Sequence, residues 1–408
     1  MWIQRLHCRF APAFLLAVVC GNQLTASAAE FDLEKLKRLD AVMQKYVEDK
    51  TVAGLTAAIG SREGIVATSA LGYLNREQKL KMPVDALFRI ASMTKPITAI
   101  GIMMLVDDGK LSVDDPVEKH LPEFRGQLLI ETAGKDQLAL KKPSRPIVIR
   151  DLLTHTSGLP GGFPSGISDL YFRRQLTLGE ATAISSQRPL DFEPGTKWAY
   201  CNAGIDVLGR IVEVVSGVSF ETFLENRLFQ PLGMRDTTFY PSDEQLQRLA
   251  ALYDMKNGEL SHAGYQLVGP SRNARHPIPA GGLFSTAQDL GKLYRMMLTR
   301  GAIGELRLLS EQSVAAMTSN QVGDLPAGFT SGVGMGFGWQ VIRRPEGVHE
   351  MMSAGTYGHG GAFGTQAWID PVKDVFVILL IQRSGLPNAD ASEMRAELQT
   401  VAVEALAK

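Results

Sequence analysis

Ser92-Met93-Thr94-Lys95 is the stretch on which the reading of this chain turns. It sets a hydroxyl three residues before an amine, at the start of a segment with helical spacing. Ile97, Ile100, Met104 and Leu105 recur at that spacing, Pro96 suits a first turn, and Gly109 is a stop signal. Positions i and i+3 of a helix share one face, so the Lys95 amine is expected beside the Ser92 oxygen. A serine hydroxyl becomes a good nucleophile when a neighbouring base takes its proton, and an amine held neutral serves as that base. No other serine in the chain has a lysine three residues on.

Two further elements stand downstream. Tyr200-Cys201-Asn202 follows Pro194-Gly195-Thr196. A phenol shuttles protons when a nearby cation helps it ionise. The Asn202 amide is suited to hold a neighbouring amine and a substrate carbonyl, but its position before an apolar helical run also suits an N-cap. The third element, His359-Gly360-Gly361, precedes the strand expected from Phe363 to Asp370. Paired glycines let a substrate approach a strand edge, and the following amide, of Ala362, is available to an oxyanion.

Composition sets the outer limits. The chain has 408 residues, 45% of them hydrophobic and 21% charged, with a formal net charge of -1. These values suit a globular protein with a sizeable core and give no sign of a nucleic-acid partner. Arg5 and Arg9, the apolar run Phe10 to Cys20, and Ala26-Ser27-Ala28 together predict a signal peptide over 1–28. The protein is thus expected to be exported, periplasmic or secreted, with no stable membrane span after cleavage. Cys8 and Cys20 lie in the leader, leaving Cys201 as the lone cysteine and no internal disulfide.

Along the chain, helices are predicted over Phe31–Asp49, Ser92–Asp108, Arg150–Thr156, Ala203–Val215, Ser219–Leu228 and Thr286–Arg300. A closing helix runs to Ala407, with Asp390 as its N-cap and Ser285 capping the one from Thr286. Strands are expected around the turn at Ser61–Gly64, over Phe337–Arg343, and as a hairpin of Phe363–Asp370 with Asp374–Gln382. A loop or small hairpin falls within Glu123–Pro146. Strands therefore cluster at the two ends of the chain and helices in its middle. The expected fold is α+β. An antiparallel sheet flanked by the N- and C-terminal helices (29–91 and 335–408) joins a mostly helical second lobe (92–334), within one domain of 29–408. The site is expected between the lobes.

Taken in order, the three elements resemble the serine β-lactamase and penicillin-binding protein superfamily, for which Ser-x-x-Lys is a signature. More narrowly, the chain resembles the branch holding class C β-lactamases, D-Ala-D-Ala carboxypeptidases and family VIII carboxylesterases. Phe88-Arg89-Ile90-Ala91, Asp151-Leu152-Leu153-Thr154-His155-Thr156-Ser157-Gly158, Pro231-Leu232-Gly233-Met234 and Gly281-Gly282-Leu283-Phe284-Ser285-Thr286 stand in the expected order.

The resemblance implies that Ser92 is the acylated nucleophile and that Lys95 and Tyr200 share proton handling, with either as the acylation base. It implies that Asn202 positions Lys95 and the substrate carbonyl, that His359, Gly360 and Gly361 line the substrate, and that the backbone amides of Ser92 and Ala362 form the oxyanion hole. It gives His155 a loop-ordering role. No cofactor or metal is implied.

The departure lies at His359-Gly360, where β-lactamases carry Lys-Thr. A neutral histidine and an absent hydroxyl weaken the expected site for a substrate carboxylate. The expected activity is hydrolysis of carboxylic esters through an acyl-enzyme. The alternatives are a D-Ala-D-Ala carboxypeptidase or D-aminopeptidase, a β-lactamase, and a non-catalytic penicillin-binding-like protein. The partner is a small-molecule ester, amide or β-lactam.

Overall fold

The computed structural model describes residues 28–134, 138–164, 166–263, 269–270 and 273–407. The predicted leader, through Ser27, lies outside the described residues.

Two strands that are buried on both faces form the middle of the sheet. Gly54–Ser61 is buried at every position, and so is Val375–Ile381, a continuous run of Val, Phe, Ile and Leu. A strand covered on both faces has no need of polar alternation. The two pair antiparallel, with Thr56 opposite Leu380 and Ala58 opposite Ile378. The sheet grows outward from them to eight strands. Gly64–Asn75 and Leu80–Lys81 follow on the side of Gly54–Ser61; Gln366–Asp370, Tyr357–Gly360, Gln340–Ile342 and Val333–Met335 follow on the other. All neighbours run antiparallel.

One face of the sheet is covered by the terminal helices. Arg38–Glu48 buries Leu39, Met43 and Tyr46, one stripe at helical spacing. These pack with Leu398, Val401 and Ala402 of Glu393–Glu404 onto Leu55, Ile59 and Leu379. The opposite face carries the larger core, which joins Ala58, Ile378 and Leu380 to Leu290 and Leu293 of Ala287–Leu298. The same core takes in Thr94–Asp107, which is buried from Thr94 through Leu105. Sequence spacing alone suggests a single buried stripe on this helix. It is enclosed all round because the helical middle of the chain packs against the side turned away from the sheet.

Several boundaries depart from expectation. The third motif does not merely lead into the next strand: His359 and Gly360 lie within a separate strand, Tyr357–Gly360. Phe337–Arg343 is not one strand but the second half of a hairpin that turns between Met335 and Gln340. Three caps are displaced from the predicted residues. Thr286, not Ser285, caps Ala287–Leu298; Ser392, not Asp390, caps Glu393–Glu404; and Cys201 caps the helix that begins at Asn202. In the first two cases a hydroxyl one or two residues further on reaches the free backbone amides instead. Among the described residues, no helix is long and apolar enough to cross a membrane.

Candidate active site

The chain reaches Ser92 through a strained turn. Phe88–Arg89 pairs with Phe284–Ser285, and Ala91 then takes a φ of +45°. For a residue with a Cβ this left-handed backbone costs about 1–2 kcal/mol and persists only where the surroundings impose it. Thr94 supplies the constraint. Its hydroxyl donates to the Ala91 carbonyl at 2.7 Å and accepts from the Leu283 amide at 3.2 Å. A short 3-10 turn, Ala91–Met93, carries Ser92, and the α-helix begins at Thr94. This arrangement leaves Lys95 Nζ 3.0 Å from Ser92 Oγ.

Lys95 is fully buried. Its Nζ also donates to the Ala280 carbonyl at 2.6 Å and lies 4.7 Å from the centre of the Tyr200 ring. Burial disfavours the ammonium and lowers its pKa from 10.5 to about 7, against the pull of Asp206 and Cys201. Asp206 is a second buried ionisable group, and sequence reasoning missed it. Its Oδ1 accepts from the Ala280 amide at 3.0 Å and its Oδ2 from the Tyr171 hydroxyl. Burial pushes its carboxyl well above the usual range, although Tyr171, Ala280 and Lys95 favour the anion. Ala280 therefore bridges the pair: its N–H binds the acid and its C=O binds the amine. One signal was available, since Asp206 is a lone charge between Ile205 and Val207 in an otherwise apolar run.

Tyr200 sits in the extended segment before Asn202–Ser216. Its ring lies 4.7 Å from that of His155, 4.9 Å from Phe329 and 6.3 Å from His359. Burial raises the phenol pKa above its ordinary value, a hydrogen bond with Ser92 opposes the rise, and the Asp390 charge adds to it. His155 orders this segment from both sides. Its Nδ1 accepts from the Cys201 amide at 3.2 Å, and its carbonyl accepts from the Ala199 amide at 2.9 Å. The ring is wholly buried and its pKa is held well below the ordinary value by that burial, so His155 is neutral. Asn202 lies half-buried in the first turn of its helix, and among the described residues no hydrogen bond joins it to Lys95.

The third motif closes the site. His359 is buried, and its Nδ1 lies 2.6 Å from the Gly360 carbonyl oxygen. Burial, then the Lys95 charge, lowers its pKa to about 3, so it presents no cation at neutral pH. Gly361 is needed for close approach. A Cβ there would lie 2.5 Å from the Ile90 carbonyl oxygen and 3.4 Å from Ala91 Cβ. Phe363 shares a small apolar cluster with Ala91, so the Ala362 peptide, between it and Gly361, is held near the turn that carries Ser92. The fold thus brings Ser92, Lys95, Tyr200 and His359 together from three distant parts of the chain. Among the described residues, no group of His, Cys, Asp and Glu has an arrangement able to hold a metal ion.

The sequence and the fold both have relatives. An uncharacterized protein of Mycobacterium tuberculosis is 34% identical over 372 residues, covering 86% of this chain and 91% of its own. Esterase EstB of Burkholderia gladioli is 31% identical over 370 residues, covering 84% of this chain and 89% of its own. Among solved structures, EstCE1, a hydrolase with promiscuous acyltransferase activity, superposes with a TM-score of 0.73 at 26% identity, over 91% of this chain and 98% of that one. The model of the beta-lactamase family matches residues 39–402. The chain is a member of the beta-lactamase family, within the serine hydrolase superfamily.

Proposed function

We propose that this protein is an exported serine hydrolase that cleaves carboxylic esters through an acyl-enzyme on Ser92. The observation that carries the reading is the contact of 3.0 Å between Ser92 Oγ and the buried Lys95 amine. With a pKa of about 7, a substantial fraction of Lys95 is neutral at physiological pH. Ser92 Oγ attacks the ester carbonyl carbon as its proton passes to Lys95 Nζ. The carbonyl oxygen gains charge between the amides of Ser92 and Ala362, where oriented donors are each worth about 3 kcal/mol. Tyr200, held protonated by its burial, gives its proton to the departing alcohol as it takes the serine's proton from the Lys95 ammonium, which restores both groups. Water then gives a proton to neutral Lys95 as its oxygen attacks the acyl carbon, and that proton passes to Ser92 Oγ as the acyl–oxygen bond breaks and the acid leaves. Asn202 borders the substrate carbonyl. The ester preference is supported by the neutral His359 and by the absence of a side chain at Gly360. Two relatives lend it weight, since EstB is named an esterase and EstCE1 a hydrolase with acyltransferase activity.

The test is a kinetic panel on purified protein: neutral short-chain p-nitrophenyl esters, a chromogenic cephalosporin and a D-Ala-D-Ala peptide. A charge-assisted contact to a carboxylate contributes about 1.5–3 kcal/mol, so its loss is expected to hold the two anionic substrates about ten- to a hundredfold below the best ester in kcat/KM. Faster turnover of the cephalosporin or the peptide than of any ester overturns the ester reading.

Export has its own support. The backbone nitrogen of Ala29 lies 3.0 Å from Asp374 Oδ2, and Asp32 and Ala407 are already tied into backbone hydrogen bonds. Cleavage after Ala28 turns that nitrogen into an ammonium facing a carboxylate. The mature chain from an exporting host is expected to begin near Ala29 and to carry one unpaired thiol, Cys201. N-terminal sequencing and intact mass check this, and an unprocessed Met1 in the exported fraction counts against it.

A further inference from the structure

By its local pattern Asp390 should cap the last helix, but it occupies a place with more consequence. Ser392 makes the cap, and Asp390 lies in the preceding 3-10 turn, Ala389–Ala391, beside the edge of the strand Tyr357–Gly360. A Cβ on Gly360 would stand 2.4 Å from Asp390 Oδ1 and 2.3 Å from Gln366 Nε2. These two groups fill the space that a side chain at 360 would take. Gln366 Nε2 donates to Asp390 Oδ1 at 2.9 Å, which fixes the carboxylate with a neutral partner.

The nearby cation, Arg395, feels this charge but forms no ion pair with the carboxylate. Arg395 donates to the backbone carbonyl of Asp390, lies 3.8 Å from the centre of the Trp368 ring and places Nη2 2.9 Å from His349 Nδ1. Among the described residues, no ion pair reaches the Asp390 carboxylate within salt-bridge distance. His359, the next ionisable neighbour along the strand, is neutral. The carboxylate lies with Gln366 on the Gly360 face, at the end of the strand, and is close enough for its charge to act on the Tyr200 phenol. On the same strand edge, Gly361 abuts the turn carrying Ser92. A substrate seated on Ser92 along this edge therefore meets a negative charge that is held in no ion pair and is only half-buried.

We infer that Asp390, held by Gln366 beside Gly360, is a charge-selecting residue that favours substrates with a cationic group at this flank, accepts neutral ones and rejects carboxylates. The inference rests on the hydrolase reading and deepens it: the flank is inverted in charge rather than only stripped of a cation.

The test uses two matched series of p-nitrophenyl-type esters, one varied on the acyl side and one on the alcohol side. Each series ends in trimethylammonium, methyl or carboxylate. For the wild-type protein, kcat/KM for the cationic ester is expected to exceed that for the anionic ester by about ten- to a hundredfold in the series whose end reaches Asp390. Raising the salt concentration is expected to shrink that ratio, since a half-exposed charge is screened.

Asp390→Asn keeps an oxygen for Gln366 and removes the charge; its ratio is expected to fall toward one and to lose its salt dependence. Asp390→Lys is expected to invert the ratio. Because the readout is a ratio within one variant, a general loss of activity cancels. If the neutral ester is turned over and the ratio is the same in wild type and Asp390→Asn in both series, the inference is overturned while the hydrolase reading stands. If no ester is turned over and a fluorophosphonate leaves Ser92 unmodified, both are overturned.

Discussion

Replacing Ser92 with alanine is expected to lower kcat on the best ester by about a thousandfold or more, a loss of at least about 4 kcal/mol of transition-state stabilisation. It is also expected to abolish covalent labelling by a fluorophosphonate. The size follows from the proposed role: without Oγ no acyl-enzyme can form, and only positioning and the backbone donors remain. Fold is expected to persist, because the strained turn is held by Thr94 and the Leu283 amide and not by the Ser92 hydroxyl. Mass spectrometry of the labelled peptide, with near-ultraviolet circular dichroism as the fold check, decides the matter. Labelling that continues unchanged in Ser92→Ala places the nucleophile elsewhere.

Lys95→Ala and Tyr200→Phe are each expected to lower kcat by about a hundredfold or more, roughly 2.7 kcal/mol, within the range of general acid–base effects. The pH dependence separates their roles. Burial carries the lysine from 10.5 to about 7 in the folded protein, so the competent neutral amine gains as pH rises through about 7 and is lost below it. The wild-type kcat/KM profile is expected to show that rising limb, and Lys95→Ala to lack it. Asp206 favours the ammonium, so its charge holds the limb higher than burial alone would. The Tyr200 phenol is shifted the other way, above its ordinary value, and stays protonated across the same range. Tyr200→Phe is therefore expected to keep the limb and lose amplitude. A limb that survives in Lys95→Ala but disappears in Tyr200→Phe would reassign the base to tyrosine.

What the sequence disclosed depended on how local each signal was. Val375–Ile381 was legible because a strand buried on both faces must be a continuous apolar run. Tyr357–Gly360 was not, since Tyr-Gly-His-Gly shows neither alternation nor an apolar run, and its neighbours alone make it a strand. Ser92 and Lys95 were legible because their partnership is set by a spacing of three residues. Asp206 and Ala280 were not, because their link to Lys95 spans 111 and 185 residues of chain. Asp390 shows a third kind of failure. Its local pattern, an acid ahead of a helix, fitted a cap, and only the tertiary position of Gly360 shows what the side chain borders.

The sheet order also fixes when the site comes into being. The strand Val375–Ile381 is synthesised long after Gly54–Ser61, yet it lies between that strand and Gln366–Asp370 near the middle of the sheet. Until it inserts, nothing joins the early segment bearing Ser92 to the late segment bearing His359 through a continuous ladder. Pairing of this kind closes most of the chain into one loop and comes late in folding. A nascent or clipped chain thus holds its serine and lysine without the edge that completes the pocket. The acyl chemistry proposed for this site therefore requires that strand, as a property of the folded molecule and not of any fragment carrying the motif.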